Sequence, residues 1–242
     1  MNPTAHLTEE YALSNALVIL SGGQDSTTCL YWAKEQFENV YALSFNYHQR
    51  HSVELQAASH IAKLAGVPHE VLDIGPLFHG TSPLTDASKK LETYASADTL
   101  PGGLENTFVP GRNLLFLAAA ANRAYVLECQ HLVIGVSEED FGGYPDCRAS
   151  FIQSMEHSIS QAMDKPFTIA MPLVHLNKKA TVELAQSLPG CMEALAWSHT
   201  CYAGTVPPCG SCHACLLRAR GFAEAGVADP LTERLQQESK SA

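Results

Sequence analysis

Apolar positions along this chain fall into short runs typical of buried strands and longer stretches with helical spacing. The first short run, residues 16–20, has the length and β-branched content of a buried strand. It ends at two glycines, Gly22 and Gly23, and the polar residues 26–28 can begin a helix. The chain is therefore predicted to open with a strand, a glycine loop and a helix, after a loose lead-in over residues 1–15.

The same alternation continues downstream. Short apolar runs predict further strands over residues 40–45, 69–74, 132–136 and 169–173. Helical spacing predicts helices over residues 53–64 and 113–127, after Pro145 to about residue 163, and over residues 177–188. Strands that alternate with helices imply right-handed crossovers, so we predict an α/β fold with a doubly wound, Rossmann-like parallel sheet. Ligands of such sheets bind at the carboxyl ends of the strands, where the glycine loop lies.

Two stretches depart from this alternation. Residues 75–107 carry many Pro, Gly, Ser and Thr residues with little periodicity, which predicts an irregular insertion that serves as a lid or binding loop; a disordered linker is the alternative. Residues 191–242 contain a cluster of four cysteines. We therefore divide the chain into an α/β domain over residues 1–190 and a C-terminal helical segment over residues 191–242.

Composition narrows the function. At 242 residues, 46% of them hydrophobic, the chain is long enough for one large α/β domain with a small appendage. The formal net charge of −10 argues against a basic face for tRNA or DNA, so we predict a small-molecule substrate and no nucleic-acid partner. No stretch of about 18 apolar residues occurs and residues 1–14 lack a signal sequence, so a cytoplasmic protein with no membrane partner is expected.

The glycine loop has the chemistry of a phosphate site. Gly22 and Gly23 let a ligand approach the main chain, where successive N–H groups and the positive end of the helix point at one place. Asp25 would repel a bare phosphate but can hold it through a magnesium ion, which favours a metal-bound nucleotide. The loop is neither a Walker loop nor a dinucleotide turn, and a tight turn without function is the alternative. Hydroxyl groups that can add hydrogen bonds belong to Ser21, Ser26 and Thr27.

Two segments are expected to place polar and aromatic side chains near this loop. Residues 46–51, Asn-Tyr-His-Gln-Arg-His, follow a predicted strand, so Tyr47 can stack on a heterocycle while Arg50 holds phosphate or carboxylate oxygens. The alternative is a polar first turn of the next helix. Residues 108–113, Phe-Val-Pro-Gly-Arg-Asn, can fix a turn that aims Arg112 and Asn113 from a helix start, where Arg112 can bind a nucleotide or substrate carboxylate. The alternative is an ordinary turn with Asn113 as the helix cap.

A third segment, residues 138–148, is rich in acidic and aromatic residues and also follows a predicted strand. A carboxylate in a pocket can accept paired N–H bonds from a guanine-like edge, and Asp146 is the best-placed candidate. Phe141 or Tyr144 can stack on the same ring. The alternative is a solvated acidic loop.

A cysteine cluster near the C-terminus has the spacing C-x7-C-x2-C-x2-C and consists of Cys201, Cys209, Cys212 and Cys215. Closely spaced thiolates on turns can surround one ion, and four sulfurs without a vacant position are the pattern of structural zinc. An iron–sulfur cluster, a nucleic-acid zinc ribbon and free thiols are the alternatives. His199 and His213 flank the cluster, and we expect both to lie beside the ligands or on the surface.

The loop sequence SGGQDS, placed after an apolar strand, resembles the SGGxDS pyrophosphate-binding loop of the N-type ATP pyrophosphatases. Enzymes with this loop generally transfer AMP from ATP to an oxygen and release pyrophosphate. The motifs LSGGQDSTTCL, YHQRH, NTFVPGRN, GYPDCR and TCYAG…CGSCHAC together resemble those of the 7-cyano-7-deazaguanine synthases, the family that makes the nitrile precursor of queuosine. The resemblance covers nearly the whole chain.

The resemblance implies an adenine nucleotide alpha hydrolase-like fold, one zinc per chain, a homodimer, and ATP-dependent conversion of 7-carboxy-7-deazaguanine and ammonia to 7-cyano-7-deazaguanine. With the residue chemistry, it assigns catalysis to Asp25, Arg50 and Arg112. Asp146 is assigned to the deazaguanine edge, with Tyr47 or Phe141 stacking on the ring. Zinc is assigned to the cysteine cluster, and ATP to a continuous stretch: Leu20, Ser21, Gly22, Gly23, Gln24, Asp25, Ser26, Thr27, Thr28, Cys29 and Leu30.

Three positions depart from the family pattern: Asn46 and His48 stand where Asp and Gly are usual, and Ala149 stands where an acid is common. Other hypotheses compete. A tRNA-thiolating or lysidine-forming enzyme shares the loop but needs a basic groove, and a non-catalytic nucleotide-binding module would bind ATP without consuming it. Ammonia-dependent amide synthesis on another heterocyclic acid is the nearest enzymatic alternative.

Overall fold

The computed structural model describes residues 14–50, 52–78, 80, 82–101, 103–138 and 143–241. The strands within them are β1 (Asn15–Ile19), β2 (Asn39–Asn46), β3 (His69–Asp73), β4 (His131–Val133) and β5 (Thr168–Ala170). They form one parallel sheet in the order β3-β2-β1-β4-β5, with β1 at the centre. In its register, Asn15 lies opposite Asn39 of β2, and Ala16 lies opposite His131 of β4.

Eight helices surround the sheet in the described residues: α1 (Gln24–Gln36), α2 (Val53–Ala65), α3 (Arg112–Val126), α4 (Ala149–Met163), α5 (Lys178–Ser187), α6 (Cys191–Leu195), α7 (His213–Ala225) and α8 (Pro230–Ser241). Short 3-10 turns occupy Gly75–Leu77, Ala97–Thr99 and Pro145–Cys147. No helix among the described residues is both long enough and apolar enough to cross a membrane.

The helices cover both faces of the sheet. Side chains alternate along β1, so Ala16 and Val18 join one apolar cluster while Leu17 and Ile19 join the other. The first cluster holds residues of α1, α2, α5, α6 and α7, and the second holds residues of α3 and α4. The doubly wound parallel sheet predicted from the alternation of strands and helices is confirmed.

The C-terminal segment shares the core of the sheet. Leu195 and Phe222 pack in the same cluster as β1. Gly221 allows α7 to approach α5 closely, since a Cβ atom there would lie 2.7 Å from the Cβ atom of Lys178. The division at residue 190 remains a prediction, but the two parts are joined by buried apolar contacts.

The insertion over residues 75–107 packs onto the C-terminal segment. The backbone N–H of Tyr94 donates a hydrogen bond to the carbonyl of Ser211 at 2.8 Å. Leu91 packs against the cysteine cluster. The described part of the insertion therefore forms a wall of the molecule and does not behave as a linker between domains.

The end of β4 brings the chain against the glycine loop. The strand is shorter than the predicted residues 132–136, because pairing with β5 ends at Val133 opposite Ala170. Gly135 then passes the start of α1, where a Cβ atom would lie 3.1 Å from the backbone nitrogen of Ser26. This close approach places the segment after β4 beside the loop after β1.

Candidate active site

Gly22 is held between two parts of the chain. Its φ angle is +87°, a conformation that favours glycine. A Cβ atom there would overlap the backbone carbonyl of Glu54 and lie 2.8 Å from the backbone nitrogen of Ala58 in α2. From the other side, the N–H of His199 donates to the Gly22 carbonyl at 2.8 Å. The loop shape thus depends on contacts with α2 and with the segment before the cysteines.

The N-terminus of α1 is open to a ligand. Gly23 occupies the N-cap position, and no side chain accepts a hydrogen bond from the first turn there. The Ser26 hydroxyl accepts from the Ser21 N–H at 3.1 Å and lies 3.0 Å from the Ser21 hydroxyl, which orders the loop. Unpaired N–H groups at a helix start attract anions, so this end of α1 can bind phosphate oxygens.

The structure narrows the predicted ATP-binding stretch. Its last four members, Thr27, Thr28, Cys29 and Leu30, are fully buried and do not line the cavity beside the loop. The hydroxyl of Thr27 donates to the Gly23 carbonyl at 2.7 Å, and that of Thr28 donates to the Gln24 carbonyl at 3.0 Å. Both hydroxyls therefore satisfy backbone carbonyls at the start of α1, and the assignment of the whole stretch to ATP remains a prediction.

A cavity of about 250 Å³ opens beside the loop. Its walls come from the ends of β1, β2 and β4, the starts of α1, α2, α3 and α5, and the C-terminal segment. The residues that carry its chemistry are Ser21, Gln24, Asp25, Ser26, Tyr47, Arg50, Glu54, Arg112, Tyr144, Lys178, Tyr202 and His213. The strand ends thus meet at one site, as expected for a parallel sheet.

Asp25 forms an ion pair that the sequence did not suggest. Lys178 Nζ lies 2.7 Å from Asp25 Oδ2, and the side chains are 13% and 25% exposed. Asn177 caps α5 by accepting from the Ala180 N–H, which fixes Lys178 as the first helical residue. The other Asp25 oxygen, Oδ1, is buried without a hydrogen-bond partner among the described residues. Because Oδ1 is still available as a ligand atom, Asp25 is suited to coordinate magnesium, and Lys178 adds a positive charge beside that site.

Arg112 stands at the first position of α3 and faces the cavity with Tyr47 and Glu54. Burial raises the pKa of Glu54 to about 7, although the Arg112 guanidinium opposes this shift. Burial also raises the pKa of Tyr47, so this phenol is neutral near pH 7. Glu54 was missed by sequence reasoning, and its position one helical turn after the 46–51 segment was the only available signal.

The ring of Tyr47 lines the cavity but is packed among other aromatic rings. It is 7% exposed and packs edge-on against Phe78 at 5.8 Å, with Phe116 at 5.5 Å. Tyr144 also lines the cavity, and its ring stacks on Phe108 at 5.5 Å. The other predicted stacking residue, Phe141, lies outside the described residues.

Asp146 joins residues 138–148, the third segment, to α3. Its Oδ2 accepts from the backbone N–H of Asn113 at 3.1 Å, and the Asn113 amide donates to the Asp146 carbonyl at 3.0 Å. Asp146 is 7% exposed and does not itself line the cavity, whereas the neighbouring Cys147 does. Asn113 is therefore not the cap of α3, whose N-cap residue is Gly111, and the Asp146 carboxylate accepts from the first turn of this helix instead.

Arg50 lies at the mouth of the cavity. Its side chain is exposed and donates to the Lys89 carbonyl at 3.3 Å, while its backbone N–H donates to the Leu84 carbonyl at 2.8 Å. Arg50 thus ties the end of the 46–51 segment to the insertion. It reaches the cavity from the rim, in contrast to Arg112 at its wall.

The residues that depart from the family pattern make local contacts. Asn46 donates to Asp73 Oδ2 at 2.9 Å and accepts from the His48 N–H at 3.2 Å. His48 has a φ angle of +55° and its ring packs over Gly75, where no Cβ atom would fit. Ala149 begins α4, and its N–H donates to Glu138 Oε1 at 2.6 Å. Glu138 therefore supplies an acidic group at the start of α4.

The cysteine cluster is assembled by turns before α7. The four sulfur atoms lie within 4.8 Å of one another. Backbone N–H groups of Cys209 and Cys212 donate to the sulfurs of Cys201 and Cys209, each at 3.3 Å. Thiolates stabilised by N–H donors and grouped around one point fit a tetrahedral metal site. The cluster can therefore hold a metal ion, and its four sulfur donors suit zinc.

The flanking histidines lie beside the cluster and do not belong to it. His213 is buried, and its Nε2 lies 3.3 Å from Glu105 Oε1 in the insertion. Burial lowers the pKa of His213 to about 4, so the imidazole is neutral near pH 7. His199 is also buried and anchors Gly22 through its backbone. The C-terminal segment thus supports both the insertion and the glycine loop.

A parallel sheet whose first strand leads through SGGQDS into an open helix N-terminus, with a lysine and an aspartate paired beside it, defines a nucleotide-binding α/β protein. Residues 15–226 match the family model described as queuosine biosynthesis protein QueC, and the chain belongs to that family.

Relatives named 7-cyano-7-deazaguanine synthase cover almost the same length. One from Laribacter hongkongensis is 53% identical over 222 residues, 91% of this chain and 95% of the relative. Another from Chromobacterium violaceum is 54% identical over 228 residues, 93% of this chain and 96% of the relative. Among solved structures, a predicted tRNA methyltransferase subunit from Methanocaldococcus jannaschii aligns with a TM-score of 0.46 and 22% identity, over 72% of this chain and 76% of that chain.

Proposed function

We propose that this chain converts 7-carboxy-7-deazaguanine and ammonia to 7-cyano-7-deazaguanine in an ATP-dependent reaction of queuosine biosynthesis. The observation that carries the proposal is the single cavity that joins the open N-terminus of α1, the Asp25–Lys178 pair and Arg112. Relatives at 46–54% identity bear the name of that synthase. The enzyme is a ligase that forms a carbon–nitrogen bond.

The glycine loop binds the phosphates of ATP. N–H groups at the start of α1 contact the phosphate oxygens, Asp25 holds magnesium, and Lys178 adds a second cation beside it. Arg112, and Arg50 from the rim, stabilise negative charge that develops when the phosphate chain is cleaved. Catalysis then consists of orientation and charge stabilisation and needs no covalent intermediate with the protein.

The reaction requires activation because a carboxylate is a poor electrophile. Transfer of an adenylyl or phosphoryl group to the carboxylate oxygen supplies a leaving group, which ammonia replaces to form the amide. A second activation, at the amide oxygen, permits its departure and formation of the nitrile. The same phosphate site serves both activations.

The heterocycle is assigned to the wall between the third segment and α3. Asp146 is the acceptor for the guanine-like edge, through the oxygen that does not receive the Asn113 N–H. Tyr47 and Phe141 remain the predicted stacking residues, and Tyr144 joins them because its ring lies at the cavity. Recognition by a buried carboxylate favours a base with two adjacent donors.

The cysteine cluster holds one zinc ion in a structural role, since four thiolates leave no vacant coordination position. Zinc bound there would brace the turns that carry Tyr202 to the cavity and meet the insertion at Leu91. A cytoplasmic homodimer is the expected form of the enzyme.

The test is mass spectrometry of products after the purified protein is incubated with ATP, magnesium, ammonium and 7-carboxy-7-deazaguanine. We expect the nitrile, with AMP or ADP in the same mixture identifying the activation chemistry. ATP consumption only with a different acid or with tRNA would overturn the proposed substrate. No ATP consumption with any of these would favour a binding module.

A further inference from the structure

Glu54 supplies the cavity with a carboxylate that, unlike that of Asp25, forms no ion pair with the described residues. It lies in the first turn of α2, its backbone carbonyl faces Gly22, and its side chain lines the cavity. Among the described residues that line the cavity, the carboxylates are those of Asp25 and Glu54. Asp25 is paired with Lys178 at 2.7 Å, whereas Glu54 accepts no hydrogen bond from the residues that the structure describes.

A carboxylate in this position does not suit phosphate binding. It would repel the phosphate chain, and the neighbouring loop already supplies the N–H donors for that chain. It suits a small cationic or N–H-donating reactant that must reach the same site. In the proposed reaction that reactant is ammonium, which carries one proton too many to attack a carbonyl carbon.

This inference rests on the proposed function. We propose that Glu54 is the general base that binds ammonium and deprotonates it at the activated carboxyl group. The Glu54 carboxylate takes one proton and becomes a carboxylic acid. The nitrogen lone pair then forms the bond to the acyl carbon, and the carbon–oxygen bond to the phosphate leaving group breaks with its electron pair. A second proton leaves the nitrogen to solvent, which gives the neutral amide.

The surroundings of Glu54 support this role. Its charged or titratable neighbours are Arg112 from α3, Tyr47 after β2 and Cys201 before the cysteine turns. Burial outweighs the opposing effect of Arg112 and raises the Glu54 pKa to about 7, a value suited to proton transfer near neutral pH. Arg112 lines the same cavity and can polarise the acyl or phosphate oxygen.

The experiment compares two nucleophiles in the wild type, in Glu54→Gln and in Glu54→Asp. Ammonium needs a base, whereas hydroxylamine is largely unprotonated at neutral pH and attacks the same activated carboxyl group without one. We expect Glu54→Gln to lose about 100-fold in rate with ammonium at pH 7 and to stay within about threefold with hydroxylamine. Raising the pH supplies free ammonia and should restore part of the lost rate.

The matched control is Glu35→Gln, which changes an exposed glutamate on α1 outside the cavity. It should match the wild type with both nucleophiles. Glu54→Asp keeps the base but withdraws it by one methylene, so an intermediate ratio of the two rates is expected. Because the ratio is taken within each variant, partial loss of folded protein does not alter it.

Equal loss with ammonium and hydroxylamine in Glu54→Gln would overturn the assignment and give Glu54 a structural or ATP-binding role. An unchanged rate with ammonium would overturn it as well. If the wild type makes neither amide nor nitrile, the proposed function itself fails. If the wild type makes the nitrile but Glu54→Gln keeps the wild-type ratio of the rates with the two nucleophiles, the proposed function stands and only the role of Glu54 is refuted.

Discussion

Lys178 Nζ lies 2.7 Å from Asp25 Oδ2, although 153 positions separate the two residues along the chain. The pair joins the start of α5 to the loop after β1. The lysine therefore supplies a fixed cation at the point where the glycine loop and its carboxylate face the cavity.

Replacement of Lys178 by methionine should remove this cation and leave most of the side-chain volume. We expect kcat/KM for ATP to fall about 100-fold or more, because a preorganised charge at a phosphate site stabilises the transition state. The neighbouring variant Lys179→Met is the control, since Lys179 is exposed and pairs with Glu183 within α5. Steady-state kinetics with equal losses in both variants would contradict a specific role for Lys178.

A second prediction concerns the conformation of Gly22. Gly22→Ala must place a side chain at φ +87° and against the backbone of α2, so we expect loss of ATP binding and destabilisation by about 3 kcal/mol. Gly66→Ala is the matched control, because Gly66 also has a positive φ angle, +69°, but open space around it. The Gly66→Ala variant should lose about 1 kcal/mol of unfolding free energy and keep its affinity for ATP. Urea unfolding and calorimetric titration with ATP would measure both, and similar values for the two variants would show that the contact with α2 is unimportant.

The contrast between these sites explains how much the sequence could predict. The parallel sheet and the glycine loop follow from contiguous patterns, apolar runs and one short motif, and both were found. Lys178 has no local signal, since its partner lies across the fold. Glu54 likewise reads as an ordinary residue in the first turn of a helix until α3 brings Arg112 beside it.

The burial of consecutive motif residues also escaped prediction. A motif marks a stretch of chain, but helical geometry turns each residue by about 100° from the previous one, so only part of the stretch can face a ligand. Ser26 therefore reaches the cavity while Thr28 and Cys29 enter the core. Side-chain direction depends on which face of α1 packs against the sheet.

The cysteine cluster should lose its metal when one sulfur is removed. Cys212→Ser places a weaker ligand at a buried position, so we expect zinc content to fall well below one ion per chain and stability to drop by about 3 kcal/mol. Cys129→Ala is the control, because Cys129 is buried with α3 in an apolar cluster separate from the one that holds the four-cysteine site. Metal analysis and thermal unfolding would test this, and full zinc content in Cys212→Ser would refute a four-cysteine site.

The last prediction concerns His69 at the start of β3. Its Nε2 lies 2.7 Å from the Ser44 hydroxyl, which itself donates to the Leu20 carbonyl, so the imidazole donates and helps to fix the end of β1. Burial lowers the pKa of His69 below its ordinary value of about 6.5. In the folded state the ring therefore stays neutral at a pH where the unfolded chain already binds a proton.

The sign of the pH dependence follows from this difference. Stability is fully present above about pH 6.5 and is lost as the pH falls through that value toward the lower folded-state pKa, because the unfolded state binds more protons there. His69→Gln should flatten this part of the curve of unfolding free energy against pH, at the cost of some stability at pH 7.5. His157→Gln, which changes an exposed histidine on α4, is the comparison variant. Denaturant unfolding between pH 5 and 8 measures both slopes, and equal slopes in the wild type and His69→Gln would mean that His69 titrates alike in the folded and unfolded chain.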